Sequence, residues 1–460
     1  VSALSPQEAV ERALALSRAD DCVVIADATS TANLRWAGNT LTTNGVSRAD
    51  RLTVVALRRS GDGVAAGVVS RSGVGRDDVE DVVRAAEAAA ASGEPAEDAA
   101  PLLSGESGDW AAAPADTGIG VYGAVAPALG AAFAEAAAAD QRLYGFANHV
   151  VTSTFVGSSA GLRARHDQPA GILELNAKGA GGSAWNGVST RDFADVDVYA
   201  MASDLTRRLA WGERRVDLPA GRYETVLPPS AVADLMIYLY WSAAARDAAD
   251  GATVFSAPGG GTRIGEKLAS LPVRLFSDPA AAGIQAAPFV VAHASGRTQS
   301  VFDNGLPLAA TDWISEGTLA ALTQTRRSAE ATGLPVTPPV DNLLMAGPDG
   351  ADATLDDMVA RTDRGLLLTC LWYIREVEPQ SLLLTGLTRD GVYLVEDGEV
   401  VGAVNNFRFN ESPVDLLGRL TEVGGAVRTL PREWSDYFQR TSMPPVRVPD
   451  FNMSTVSQAS

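Results

Sequence analysis

The chain is poor in the side chains that usually announce a reaction. Among 460 residues there are three histidines (His149, His166, His293) and two cysteines (Cys22, Cys370). No two histidines stand four apart, the spacing that puts two imidazoles on one helical face. Neither cysteine belongs to a CxxC or Cys/His pair. A self-contained zinc site would have to be assembled from scattered residues. Two distant cysteines exclude a disulfide framework and read as small buried apolar residues, which suits a reducing cytoplasm. Long hydrophobic runs are missing too: GLLLTCLWYI is about half of the ~20 residues that a membrane span needs. Positive charge is in deficit. Lys and Arg number 37 against 56 Asp and Glu, a formal charge of −19 that argues against a nucleic-acid or anionic-membrane partner. The N-terminal VSALSPQEAVERALALSRADD is charged throughout and reads as an amphipathic helix rather than a signal peptide. A soluble cytoplasmic protein is the expectation.

What is present fits a globular chain, with 46% apolar and 20% charged residues and a length that favours two or three domains. A helix over 6–18 leads into a strand at 21–29. NLRWAGNTLTTNG (33–45) alternates with turn signals, and 51–70 reads as strand, SGDG turn, strand. A helix over 76–92 follows, with acidic residues in its first turn. Residues 93–119, rich in Gly, Pro and Ala, read as a surface excursion, and 122–139 as an alanine-rich helix. Strand after strand fills 142–200, closed by a short helix over 201–215. The strand in 218–227 delivers the chain into a predicted helix over 231–249. Beyond it, 274–279, 288–295, 364–374, 380–409 and 442–454 read as strands, with hairpin turns at RDG and EDG. The fold class is α+β in two domains. Residues 1–215 form an antiparallel sheet with helices, and 216–460 a mixed and antiparallel β-rich domain.

Candidates for chemistry are few. GGGT (259–262) lacks the Walker spacing and reads as a flexible turn. Cys370 as nucleophile, with His293 as base and Asp303 orienting it, would need a thiol that instead lies in an apolar run. Asp356–Asp357 and Glu376/Glu378 read as solvated faces or helix-start charges. The segment Asn405-Asn406-Phe407-Arg408-Phe409-Asn410 interleaves amide and guanidinium donors with aromatics. That pattern suits holding a peptide backbone or carboxylate, and equally a polar strand edge turning a corner. The helix in ADLMIYLYWSAAARDAADG, after Pro228-Pro229-Ser230, has good punctuation, with Gly251 as its stop, and no visible chemistry.

Three stretches carry a family resemblance: FDNGLPLAATDWISEGTLAALTQTRRSAEATGLPVTP, RGLLLTCLWYIREV and GVYLVEDGEVVGAVNNFRFNESPVDLL. With LTVVALRRSGDGVAAGVVSRSG in the first half, they make the chain resemble the TldD/PmbA (TldE) family of peptidase subunits. In that family the resemblance implies an HExxxH zinc helix in the catalytic partner and a cysteine far downstream. The matching helix here has neither imidazole nor glutamate at those positions, and no cysteine follows Cys370. The implied role is that of a TldE/PmbA-like subunit with no catalytic or metal residue of its own. It would lack a cofactor and pair with a TldD-like chain that supplies zinc to cut small or unfolded peptides. Asn405, Asn406, Phe407, Arg408 and His293 are the expected substrate-binding residues. A peptide-binding or scaffold protein without peptidase activity is the competing reading of the same fold, and an unrelated hydrolase using Cys370 or His293 is a third.

Overall fold

Residues 4–61 and 63–457 are described by a computed structural model. The alternating runs of the first half become unusually long strands. Asp21–Trp36 pairs antiparallel with Leu41–Ser60 on one side and with Arg142–Ser158 on the other. Gly63–Ser72 and Leu162–Gly179 extend the sheet outward. Gly105–Ser107 and Gly182–Thr190 complete seven strands by pairing with different parts of Leu162–Gly179. The predicted break between 29 and 33 does not occur, and the turn falls at 37–40.

Both faces of the sheet's first strands are apolar, and two different coverings bury them. Val24, Ala26, Val54 and Ala56 face the helices Pro6–Leu16 and Val79–Ser92. Their alternates Val23, Ile25, Val55 and Leu57 pack against Phe289, Val301 and Phe302, which belong to the second half of the chain. The covering segment was expected to contain a strand over 288–295. It forms none beyond an isolated bridge from Phe289 to Pro307. Asn304 substitutes for a strand neighbour: its Oδ1 accepts Ala292 N–H at 2.7 Å, and its Nδ2 donates to Ala292 O and Val301 O at 2.9 Å. A side-chain amide can satisfy buried backbone without a ladder.

The second half holds two sheets. Six short strands run in the order Thr318–Leu319, Thr311–Ser315, Arg274–Ser277, Leu343–Ala346, Thr441–Met443, Val427–Thr429. In the ten-stranded sheet, Gly221–Leu227 is central, lying antiparallel to Val446–Val456 and parallel to Arg364–Leu368. The sheets bear out a mixed α+β fold. The EDG turn joins Val392–Glu396 to Glu399–Val404 as a hairpin, with both Asp397 (φ 52°) and Gly398 (φ 82°) left-handed. The RDG turn is not a hairpin. The strand before it, Leu383–Thr388, pairs with Leu371–Glu378 and Phe407–Glu411, while Val392–Glu396 pairs elsewhere. Arg389-Asp390-Gly391 therefore carries the chain across the sheet, with Asp390 (φ 49°) and Gly391 (φ 142°) in positive φ. A Cβ on Gly391 would lie 2.1 Å from Thr369 Oγ1.

The helix expected over 231–249 is two, Pro229–Trp241 and Ala245–Ala249. At the break, Ala243 O accepts both the backbone N–H and the hydroxyl of Thr323 (2.7 and 3.0 Å), and Ala245 N–H donates to Thr323 O at 3.1 Å. The neighbouring chain takes bonds that a continuous helix would need. No helix among the described residues is long and apolar enough to cross a membrane.

The halves meet at His293 as well as through apolar packing. Its Nε2 lies 3.3 Å from the buried carboxylate of Asp27, which Arg51 also holds at 2.8 Å, and its Nδ1 lies 3.0 Å from Thr53 Oγ1. Burial lowers the imidazole pKa below 6.5; Asp27 opposes the shift and Arg51 reinforces it. The unfolded chain then binds the proton more readily, so this residue's contribution is present above about pH 6.5 and is lost as pH falls through the lowered native value. In thermal unfolding from pH 8 to pH 5, His293→Asn should show a shallower loss of Tm on acidification than the wild type. Equal slopes would remove this role.

Candidate functional site

The helix Pro229–Trp241 starts where Pro228 ends its strand, with Pro229 at the first helical position, where its missing N–H costs nothing. It is apolar on every side, and residues 231–237 are all buried. Such a helix belongs inside a core. Its one carboxyl, Asp234, is fully buried. Oδ1 accepts Glu433 N–H at 2.9 Å, while Oδ2 has no partner. Burial raises its pKa well above the ordinary value, and the neighbouring Glu433 adds to the rise. This donor set does not fit a metal centre. The helix carries no imidazole, and Asp234 already serves as a hydrogen-bond acceptor for the 433–434 backbone. Among the described residues no three His, Cys, Asp or Glu side chains gather to hold an ion.

The segment 405–410 divides by strand alternation. Phe407 and Phe409 are buried in the core, whereas Arg408 is exposed, with Nη1 3.3 Å from Thr385 Oγ1. Asn405 Oδ1 accepts Leu218 N–H at 2.7 Å and so splints the start of the second half. Asn406 lies at the edge of a cleft of about 750 Å³ between the halves. Its walls come from strands 142–158, 162–179 and 182–190 on one side and from 389–393, 403–406 and 432 on the other. The crossover turn closes one wall, with the Asp390 carboxylate accepting Ser183 O–H at 2.5 Å. Arg432 stands 5.0 Å from the Trp185 ring and 4.6 Å from that of Trp372. Trp372 also lines a second groove of about 490 Å³, with Trp241, Tyr373, Trp434 and Tyr437. The two recesses thus share a wall.

Of the expected substrate-binding residues, only Asn406 lines this cleft. Phe407 packs against Tyr223 (6.3 Å between centroids), and His293 lies against the N-terminal sheet. The triad Cys370, His293, Asp303 shares no hydrogen bond. Burial pushes the Cys370 thiol far up, His293 pairs with Asp27, and Asp303 receives Arg326 Nε at 2.7 Å. Asp357 caps the short helix Leu355–Ala360 through Thr354, and Asp356 pairs with Arg207. GGGT is a left-handed turn, with Gly259, Gly260 and Gly261 all in positive φ. Sequence reasoning missed the basic residues of the cleft, Lys178, Arg215, Arg389 and Arg432. They lie on separate segments with no shared motif, so only the fold unites them.

Asp234→Asn keeps the acceptor for Glu433 N–H and removes the cost of ionisation. It should hold or raise the urea midpoint at pH 7.5 and flatten its decline with rising pH, because a carboxyl with a raised native pKa loses its contribution as pH climbs. Asp234→Ala leaves that N–H unpaired and should cost about 1–3 kcal/mol. A loss in Asn equal to that in Ala would contradict this reading of the carboxyl.

A family model described as the PmbA/TldA metallopeptidase C-terminal domain matches residues 220–455. A search of curated proteins gives no match. Among solved structures, TldE from Thermococcus kodakarensis is similar at 16% identity with a TM-score of 0.77, covering 96% of this chain and 98% of that one. A protein described as a modulator of DNA gyrase from Thermotoga maritima gives 16% and 0.75 over 97% and 99%. One of the same description from Bacteroides thetaiotaomicron gives 14% and 0.74 over 98% of each chain. At these identities the structural likenesses speak for the fold alone, and it is the family model, spanning just over half of the chain, that places it: the chain belongs to the PmbA/TldD metallopeptidase family.

Proposed function

We propose that this chain is the TldE-like subunit of a two-component metallopeptidase, with a zinc-bearing TldD-like chain as its partner. The complex cuts small or unfolded peptides, modified ones included. This chain shapes the substrate chamber and supplies no metal ligand. The observation that carries the reading is the helix Pro229–Trp241. It stands where the resemblance puts the zinc motif, yet it offers a single buried carboxyl that already serves the backbone. The likeness to a structure named TldE supports the same assignment. Peptide hydrolysis on zinc needs open coordination positions and an activated water, and the residues here are not suited to hold either.

The end of that helix provides a face for the partner. Trp241 is 40% exposed, Tyr373 53% and Tyr437 76%, and the three stand together at one groove. They surround Trp434, whose ring is 5.1 Å from Trp241. Clustered aromatics of this kind dominate binding energy at protein interfaces. The zinc-bearing homologue is the occupant we assign, because the cluster lies at the end of the helix that replaces the metal helix.

Purified alone, this chain should hold no stoichiometric zinc and cleave no peptide. Co-expressed with its zinc-motif homologue, it should form a complex with one zinc per heterodimer and peptidase activity absent from either chain alone. Stoichiometric zinc with peptide cleavage by this chain alone would sink the assignment. Trp241→Ala with Tyr437→Ala should weaken the pairing at least tenfold in a titration of the two chains, with the Tm of the isolated subunit little changed.

A further inference from the structure

The cleft between the halves is positive in a protein whose formal charge is −19. Lys178, Arg215, Arg389 and Arg432 line it against a single carboxylate, Asp390, so its walls carry 4 − 1 = 3 positive charges. Many arginines elsewhere are neutralised at close range, among them Arg51 by Asp27 at 2.8 Å, Arg326 by Asp303 at 2.7 Å and Arg447 by Glu224 at 2.7 Å. In the cleft only Arg432 has such a partner, Glu174 at 3.3 Å. Lys178, Arg215 and Arg389 are exposed at its walls with no carboxylate partner among the described residues. Lys178 is held instead 5.5 Å from the Tyr144 ring centroid, which positions an ammonium without neutralising it. With 56 acidic side chains in the sequence, three unpaired cations around one recess are not explained by a shortage of partners.

The rest of the recess is suited to a peptide. A carboxamide, Asn176, lines it beside the cations, and such a group can both donate to and accept from a peptide backbone. The volume of about 750 Å³ has room for a few residues. Trp372 forms the boundary with the aromatic groove, so a chain anchored in the basic recess can lay an apolar side chain on the tryptophan. A focused positive field in a narrow cleft selects anions over the bulk surface. We infer that this cleft binds the carboxylate of an acidic peptide, with Lys178, Arg215 and Arg389 as its anchors. The inference rests on the reading above only in taking the ligand to be a peptide substrate. The carboxylate can be the C-terminus or an Asp or Glu side chain.

The test measures binding by the full-length chain and hydrolysis by the co-expressed complex separately. A fluorescein-labelled octapeptide rich in Glu is titrated by anisotropy, alongside its C-terminal amide and a version with Gln for Glu. The acidic peptide should bind the wild type at least tenfold more tightly than whichever neutral version removes the anchoring carboxylate, and that version identifies the source. Arg215→Gln combined with Arg389→Gln should lose this tenfold preference while keeping the weaker affinity for the neutral peptide. Arg48→Gln combined with Arg297→Gln, the same charge change on the outer surface, should keep the preference. Loss of the preference in the cleft double variant but not in the surface one is an effect of charge in the cleft and not of unfolding, because the neutral peptide reports the folded protein in both. Equal binding of all three peptides by the wild type overturns the inference, as does displacement of the acidic peptide by inorganic phosphate at equal concentration. If the complex cleaves neutral peptides while the acidic preference is absent, the anchor fails and the peptidase reading stands. If the preference is present but the complex cleaves nothing, the anchor stands and the peptidase reading fails.

Discussion

The main core of the second half is built around the helix Pro229–Trp241, which it keeps from water. Fully burying each leucine, isoleucine or methionine on it contributes about 1.5–3 kcal/mol, and Leu235, Met236, Ile237 and Leu239 are all inside. The ten-stranded sheet delivers the helix through Gly221–Leu227, the six-stranded sheet packs beside it, and Trp434 closes the end by donating its indole N–H to Asp234 O at 2.9 Å. A metal helix must instead turn polar ligands toward an accessible ion. An apolar helix enclosed in this way has no accessible ligand to offer.

That core also fixes the surfaces with chemical character. The 433–434 backbone is held against the helix by Asp234. From there Glu433 reaches out to accept the N–H groups of Tyr373 and Ile374, both at 3.1 Å. Tyr373, itself in positive φ (52°), is thereby pinned in an exposed position beside Trp372. A chain of contacts runs from the buried carboxyl to the aromatic face and, through Trp372, to the wall of the basic cleft.

Much of the fold was legible in the sequence, because helix punctuation and β-rich runs are local. Ser5 with Glu8 makes the capping box of the first helix, and the EDG turn has the residues that its φ values require. The misreadings share a cause in distant side chains and backbone. Thr323 interrupts the helix expected over 231–249, Asn304 replaces the strand expected at 288–295, and Thr369 packs against the glycine of the RDG crossover. The NNFRFN segment was half legible. Its alternation predicts one buried face, but whether Phe407 or Arg408 took that face depended on the register with Thr385 and Leu387. Of the cleft only Asn406 was legible, since its cations lie at 178, 215, 389 and 432 with no shared motif.

The passage between the two halves has its own consequence. Arg215–Val216, which follows the helix Val198–Gly212, is a strand paired parallel to Ala403 and Val404 at the edge of the ten-stranded sheet. A segment hydrogen-bonded into a ladder cannot serve as a swivel, and with His293 and Arg428 also bridging the halves the recess between them has a fixed gauge. A peptide bound there as proposed would enter a slot rather than a jaw, at a width that folding has already set.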